Sequence, residues 1–491
     1  MIEGILIGLK TALSFQNLLM VMIGCFAGTI IGMLPGLGPM TAIALMIPIT
    51  YGFDPATGLI LMAGVYYGAV FGGSTSSILI NAPGVPGTVA TSFDGYPMAQ
   101  QGKAGKALAI AAYSSFAGGT IAAIFLLIAA PSLSKVSLSF RSPDYFGLMI
   151  LGLTAVAAFS SKGNFLKAMM MCVFGLMLAS VGQDTLSDIP RFTFNTMNLS
   201  DGISFVLVVM ATFAMSEALT IIIKGNDPTK AAKQISLTDL GSIKVSKEET
   251  KQMAKTIPRS SILGFIVGVL PGAGATIASF LAYGMERNFV SNEEKEKFGK
   301  GSVQGLSAPE TANNAACSGA FVPLLTLGIP GSGTTAVMLG ALLGFGIQPG
   351  PRLYETNPEI FWSVIMSMYI GMVVLLILNL PLIPYIARIL AVPRTFLIPM
   401  ILFFSVTGIY LMSFNNFDIF LMIGIAVVAT ILRLYDFPMP PLILAFVLYT
   451  ISQGLNNIIG TELLGYDKSP ISTAMIAILL GIFFRNIYQR I

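Results

Sequence analysis

The chain has no histidine among its 491 residues, one tryptophan, three cysteines, and few charges: Asp, Glu, Lys and Arg together make up 10%. Each scarcity excludes a class of chemistry. Without histidine there is no His-based zinc site, no Ser-His catalysis and no His proton relay. Cys25, Cys172 and Cys317 stand far apart in apolar runs, so they read as buried thiols and not as a disulfide set or a metal site. No Gly-rich loop ends in Lys-Ser or Lys-Thr. Gly102-Lys103-Ala104 and Gly105-Lys106-Ala107 fail the nucleotide-loop pattern, so the chain does not read as an ATPase. An ordinary soluble domain carries roughly 25% charged residues. This one is 55% hydrophobic, with a mean hydropathy of +0.81. The class is an all-α polytopic membrane protein embedded in a lipid bilayer. No polar stretch much longer than Lys224–Arg259 offers a soluble domain.

Apolar runs of about 20 residues are the candidate spans. The first half offers Leu13–Leu34, a short arm Met40–Tyr51, then Gly58–Ile80, Ala107–Ala130, Tyr145–Ser160, Phe165–Val181 and Ile203–Ile223. A Gly/Pro-rich stretch, Asn81–Gly105, interrupts them. The second half offers Ile262–Leu270, Thr276–Met285, Ala308–Leu327, Thr335–Phe345, Phe361–Leu390, Thr395–Met412, Phe417–Leu432, Leu442–Ile459 and Ser472–Ile487. Several are too short to cross alone, which leaves about 12 crossings within a range of about 10 to 14. Met1–Lys10 reads as a short interfacial helix, with no small-residue cleavage site after the first apolar run. Lys224–Arg259 holds eight Lys/Arg and four Asp/Glu. A basic loop between spans is expected on the cytoplasmic side. The division is therefore a first membrane repeat over 1–223, a basic cytoplasmic linker over 224–259 and a second repeat over 260–491.

The two repeats show in their motifs. Gly28-x3-Gly32-x-Leu34-Pro35-Gly36-x-Gly38 matches Gly264-x3-Gly268-x-Leu270-Pro271-Gly272-x-Gly274 at an offset of 236. Pro83-Gly84-Val85-Pro86-Gly87-Thr88 answers Pro330-Gly331-Ser332-Gly333-Thr334-Thr335 at an offset of 247. A weaker match sets Ser216-Glu217-Ala218-Leu219 against Ser452-Gln453-Gly454-Leu455. Parallel and inverted copies both remain open, and the build of known broken-helix carriers favours inverted ones.

A Pro-Gly core breaks a helix, because Pro removes a donor and clashes with the preceding turn. In hydrocarbon such breaks are tolerated only inside protein or against a wet cavity, so paired breaks point to a binding site. Helix starts after each break expose free N–H groups suited to a carboxylate. The candidate substrate contacts are Gly36, Gly38, Thr41, Asn81, Pro83, Gly84, Gly87, Thr88, Gly272, Gly274, Thr276, Asn313, Asn314, Pro330, Gly331, Ser332, Gly333 and Thr334. Carbonyls and hydroxyls there suit Na⁺, and Ser74, Ser76, Glu310 and Asn313 are the candidates for ion coupling. The competing reading is close helix packing by small residues. Polar patches precede the second motif in each half: Tyr66-Tyr67-Gly68 and Gly72–Ser77, and Pro309–Asn314. Glu310 reads as a helix-start cap, Asp94 as a solvated loop residue and Glu217 as reaching the interface, with a coupling proton on any of the three as the alternative, and Trp362 reads as an interface anchor.

GTIIGMLPGLGP, YYGAVFGGSTSSILINAPGVPG, APETANNA and LGIPGSGTTAVMLGALL together resemble the large membrane subunit of the tripartite tricarboxylate transporters, the TctA type. The likeness covers essentially the whole chain. It implies a bacterial inner-membrane carrier of about 12 spans that works with a small four-span membrane subunit and a periplasmic substrate-binding protein. It also implies uptake of citrate and other carboxylates driven by a Na⁺ or H⁺ gradient. The family's motif positions fall on Pro35, Gly36, Gly38, Pro83, Gly84, Pro271, Gly272, Gly274, Asn313, Asn314, Pro330, Gly331 and Gly333. No cofactor beyond Na⁺ as a coupling ion, and no nucleic acid, is expected. Two other classes stand against this one: an intramembrane enzyme, which the lack of His and of paired in-span carboxylates disfavours, and an ion channel.

Overall fold

Two helices buried along nearly their whole length organise the chain, α4 (Pro55–Ile80) and α11 (Val303–Leu327). Every residue of α4 from Ala56 to Ile80, and of α11 from Gln304 to Thr326, is buried. The computed structural model describes residues 2–34, 37–137, 165–183, 190–224, 240–347, 349–386 and 394–443, together with 445, 446 and 449. Within these the order begins with α1 (Ile2–Ala12), α2 (Phe15–Met33), α3 (Gly38–Thr50) and α4. It continues with α5 (Val89–Met98), α6 (Ala104–Ser137), α7 (Phe165–Ala179) and α8 (Phe205–Lys224), which carries a π-helical segment at Met210–Met215. Then come α9 (Lys247–Val269), α10 (Gly274–Phe289), α11, α12 (Gly333–Gly344), α13 (Pro358–Asn379), α14 (Arg394–Ser413) and α15 (Asn416–Leu434). One two-residue strand pair, Gly182–Gln183 with Pro190–Arg191, is antiparallel.

Six described helical segments are long and apolar enough to cross a membrane: Phe15–Met33, Pro55–Ile80, Pro86–Val136, Phe205–Lys224, Pro358–Asn379 and Asn416–Leu434. The chain is thus an all-α protein with several membrane spans. The expected spans Tyr145–Ser160 and Ser472–Ile487, and most of Leu442–Ile459, lie outside the described residues.

Glycine sets the close packing of the central helices. A Cβ on Gly28 or Gly32 of α2 would overlap the carbonyl oxygens of Val65 and Ala69 on α4. A Cβ on Gly264 or Gly268 of α9 would overlap those of Ala312 and Ala316 on α11. Gly268 stands 236 residues after Gly32, and Ala316 stands 247 after Ala69, so the packing follows both sequence offsets. The helix ends agree as well. Asn81 (φ +52°) closes α4 through a backbone bond to Ser76 O, and Gly328 (φ +67°) closes α11 through one to Pro323 O. Gly38 and Gly274, at the starts of α3 and α10, share a φ of +61°, a left-handed conformation that costs other residues strain.

Several sequence expectations shift. The arms after the two Leu-Pro-Gly breaks begin earlier than predicted, at Gly38 and Gly274, and α13 ends at Asn379, short of Leu390. The Asn81–Gly105 stretch is not merely irregular, because α5 forms inside it. Trp362 is not at a lipid boundary. It is 2% exposed and covered by α1, where Gly4 and Gly8 leave room for it. The N-terminal helix therefore packs on α13 through a small-residue face.

Candidate functional site

The Pro-Gly turns meet the central pair from both sides. Gly84, after α4, sits so close to Gly32 O that any Cβ would overlap it. Gly331, after α11, sits against Ala320 Cα (2.8 Å to an added Cβ) and Gly268 O (2.9 Å). Its carbonyl accepts the Gly272 N–H at 3.1 Å, which ties the two breaks of the second half together. Gly274 adjoins the same turn, with Ser332 Cβ 3.7 Å from an added Cβ. Gly333 faces Met40 Sδ of α3, so the arm after the first break reaches the second half's turn.

The contacts between turns and central helices are reciprocal. Gly87 of the first turn packs on Asn313 of α11, where an added Cβ would stand 2.6 Å from Oδ1. Ser332 of the second turn lies 3.4 Å from the Tyr66 hydroxyl of α4. Tyr66 and Asn313 are 247 residues apart, so each half's central helix faces the other half's turn at the corresponding position. Tyr67 lies next to them, its hydroxyl 2.8 Å from Ser318 Oγ and its ring parallel to Phe321.

Asn313 is fully buried, and neither its Oδ1 nor its Nδ2 has a protein partner. Asn314 donates Nδ2 to Glu310 O at 3.1 Å but leaves its Oδ1 unpartnered, as is Thr311 Oγ1. A buried polar group without a partner costs about 1–3 kcal/mol. Three such residues on one stretch of one helix mark where a polar ligand would recover that energy.

Other expected contacts are already satisfied within the protein. Thr88 donates to Gly73 O and Val85 O and accepts from Ser77 Oγ at 2.8 Å, so its hydroxyl builds the first turn. Ser76 donates to Gly73 O on its own helix, away from the proposed ion group. Asn81 is exposed and serves as the α4 cap. Thr41 donates to Phe213 O (3.3 Å) in the π-helical segment of α8. Ser332 caps α12, accepting the Thr335 N–H at 3.2 Å. Thr334 and Pro330 are buried, Pro83 and Thr276 half-buried. Gly36, with Pro35, lies outside the described residues.

Glu310 is not a helix-start cap. The helix begins at Val303, and Glu310 sits inside it with no exposure. Ser74 of α4 donates to its Oε2 at 2.7 Å, Ser115 of α6 donates to the same atom at 2.8 Å, and Thr91 of α5 donates to Oε1. Four helices thus converge on one carboxylate. Sequence reasoning paired Ser74 with Glu310 as ion candidates but missed Ser115, which lies in an unremarkable Ser-Ser pair of α6.

Asp94 is buried, not solvated. Its Oδ1 accepts the backbone N–H groups of Gly299 (2.9 Å), Gly301 (2.9 Å) and Ser302 (2.7 Å), and its Oδ2 accepts the Tyr283 hydroxyl (3.1 Å). It fastens α5 to the loop that leads into α11. Glu217 pairs with Arg433 of α15 at 2.5 Å, and Arg433 also donates to Ser216 Oγ (3.0 Å) and to Thr212 O (2.9 Å), a carbonyl of the π-helical segment.

Comparison with known proteins identifies relatives of the chain by sequence. A family model described as "Tripartite tricarboxylate transporter TctA family" matches residues 18–444. An uncharacterised 52.8 kDa protein of Agrobacterium vitis, from the TAR-I ttuC' 3' region, is 42% identical over 448 residues, covering 91% of this chain and 88% of that protein. A second uncharacterised Agrobacterium vitis protein, from the TAR-II ttuC' 3' region, is 42% identical over 185 residues, covering 38% of this chain and 76% of the relative. No solved structure matches the chain.

Proposed function

The chain belongs to the tripartite tricarboxylate transporter TctA family, and from that premise we propose that it is the large membrane subunit of a secondary carrier that takes up a di- or tricarboxylate of the citrate type. It works in the inner membrane of a bacterium, beside a small four-span subunit and a periplasmic binding protein that delivers the substrate. A Na⁺ or H⁺ gradient drives it. Residues 1–223 and 260–491 act as two related, inverted halves joined by the basic segment 224–259.

The observation that carries this reading is Asn313. Its amide is wholly buried and unpartnered, and it abuts the Gly87 backbone of the opposite half's turn. An amide offers a donor for a carboxylate and an acceptor for a hydroxyl. At Gly87 the turn's backbone approaches the amide without a side chain between them. Tyr66 and Ser332 form the corresponding polar pair across the centre. A carboxylate held between them would rest on neutral donors and so require no buried cationic side chain. Gly84, Gly272, Gly274, Gly331 and Gly333 then serve by letting backbone come close, and Asn314 lines the same stretch of α11. Rocking of one half against the other around these contacts would alternate access.

The test uses proteoliposomes that contain this chain and its small partner. Labelled citrate presented with binding protein accumulates only under an imposed Na⁺ or H⁺ gradient. Asn313→Ala lowers the uptake rate about tenfold or more, the effect of losing one hydrogen bond to a charged group. Accumulation indifferent to any gradient rejects the carrier reading.

A further inference from the structure

We propose that a cavity between α4, α6 and α13 is a binding site for one dehydrated monovalent cation of Na⁺ size, with the Glu310 carboxylate as its counter-charge. The cavity measures about 10 Å³ and is lined by Ser74 and Thr75 of α4, Ser115 of α6 and Asn379 at the end of α13, against Phe71 and Leu108. Such a volume is on the order of one water-sized body. A hydrated ion does not fit.

The hydrogen-bond accounting gives the sign of the occupant. A hydroxyl has one proton and two lone pairs. Ser115 commits its proton to Glu310 at 2.8 Å, and Ser74 commits its own to Glu310 at 2.7 Å, with Val70 O at 3.3 Å as the alternative acceptor. What these two hydroxyls have left is lone pairs. Asn379 donates Nδ2 to Leu375 O at 3.0 Å, which fixes Oδ1 as the free end, and that oxygen is buried without a partner. Ser74, Ser115 and Asn379 therefore turn acceptors toward the cavity, their own protons spent elsewhere, and Thr75 adds a further hydroxyl oxygen; a hard cation takes oxygen ligands of this kind.

The charge agrees. Glu310 accepts three hydroxyl donors, and no described Lys or Arg pairs with it. An uncompensated carboxylate inside a bundle is costly. One monovalent cation on the far side of Ser74 and Ser115 balances it. Through Thr91, Ser74, Ser115 and Asn314 Nδ2, the cation would also bias the placement of α5, α4, α6 and the Asn313 stretch. This deepens the gradient-driven part of the function proposed above. A binding measurement separates the two claims, because carboxylate uptake can persist on protons with this site refuted, and the site can bind Na⁺ with no carboxylate carried.

The experiment takes the purified full-length chain in detergent and measures equilibrium binding of radioactive Na⁺. Thermal unfolding is followed in parallel with NaCl, KCl or choline chloride at matched ionic strength. One Na⁺ per chain is expected, with Tm rising with the logarithm of Na⁺ concentration and not with choline. Glu310→Gln, Ser115→Ala and Asn379→Ala each weaken Na⁺ binding about tenfold or more, while Lys297→Ala, on the surface, leaves it unchanged. If Glu310→Gln does not fold, Ser115→Ala and Asn379→Ala carry the test. Absence of Na⁺ binding overturns the proposal, as does binding unaltered in those variants. So does proton uptake that is independent of Na⁺ and lost in Glu310→Gln.

Discussion

Replacing Asp94 by Ala removes one acceptor that serves four donors at once. The three backbone N–H groups it holds differ in what they lose. Gly299 is exposed and regains water, Gly301 is half-buried, and Ser302 is 2% exposed and stays dry. Orphaning a buried donor costs about 1–3 kcal/mol, so Ser302 sets the floor and Gly301 with Tyr283 adds a part, for about 2–5 kcal/mol in total. Asp94→Asn keeps an oxygen for the three N–H groups and can donate to the Tyr283 oxygen, so it loses only the charge assistance, about 1 kcal/mol. The chain reports on this by itself, since Cys25, Cys172 and Cys317 are free and buried. A thiol-reactive fluorophore in a detergent melt therefore follows unfolding. The expected order of Tm is wild type, then Asp94→Asn, then Asp94→Ala, with the alanine variant also showing faster hydrogen exchange at 299–302. Equal melting of the alanine and asparagine variants would refute the reasoning, because the carboxylate would then not be what holds the loop.

Gly84→Ala places a methyl group into Gly32 O, and the overpacking costs about 1–3 kcal/mol or displaces the turn. Uptake is lost even where the protein still inserts, which a transport assay with matched membrane levels reads. Asn313→Ala, which deletes an unpartnered amide, melts no lower than wild type without substrate while transport falls, the trade-off expected when a polar group is kept for function. Arg433→Ala removes the ion pair with Glu217 and one donor to the Thr212 carbonyl, lowering stability by about 2–3 kcal/mol in a denaturant or thermal series. Lys297→Ala breaks only the pair with Glu294 on the surface, and its Tm stays within error of wild type.

The sequence carried the parts of this architecture that are local. Pro-Gly interruptions, the Gly28-x3-Gly32 and Gly264-x3-Gly268 spacings and the order of motifs are one-dimensional signals, and the structure gives Gly28 and Gly264, Gly32 and Gly268, and Gly84 and Gly331 matching packing roles. The cluster around Glu310 left no such trace. Its donors come from residues 74, 91 and 115 on three separate helices, and each is an ordinary hydroxyl in its own context. Asp94 misled for a related reason: in a Gly/Pro-rich stretch a carboxylate reads as solvated, and its three backbone partners lie about 200 positions away along the chain. Trp362 reads as an interface anchor by residue type, and only the packing of Gly4 and Gly8 reveals that α1 covers it. Asn313 was legible as polar in a buried helix, but its lack of partners is a property of its neighbours.

The polarity of α11 bears on how the protein is made. With Gln304, Glu310, Asn313 and Asn314 buried along it, α11 is not among the helices apolar enough to cross a membrane unaided. A translocon passing it sideways would release it into lipid at a loss. Its insertion therefore waits on α6 and α9, which are synthesised earlier and against which it packs. Biogenesis of the second half is thus chaperoned by helices already in place, and a nascent chain lacking α6 or α9 would leave α11 stranded outside the bilayer as a substrate for quality-control proteolysis.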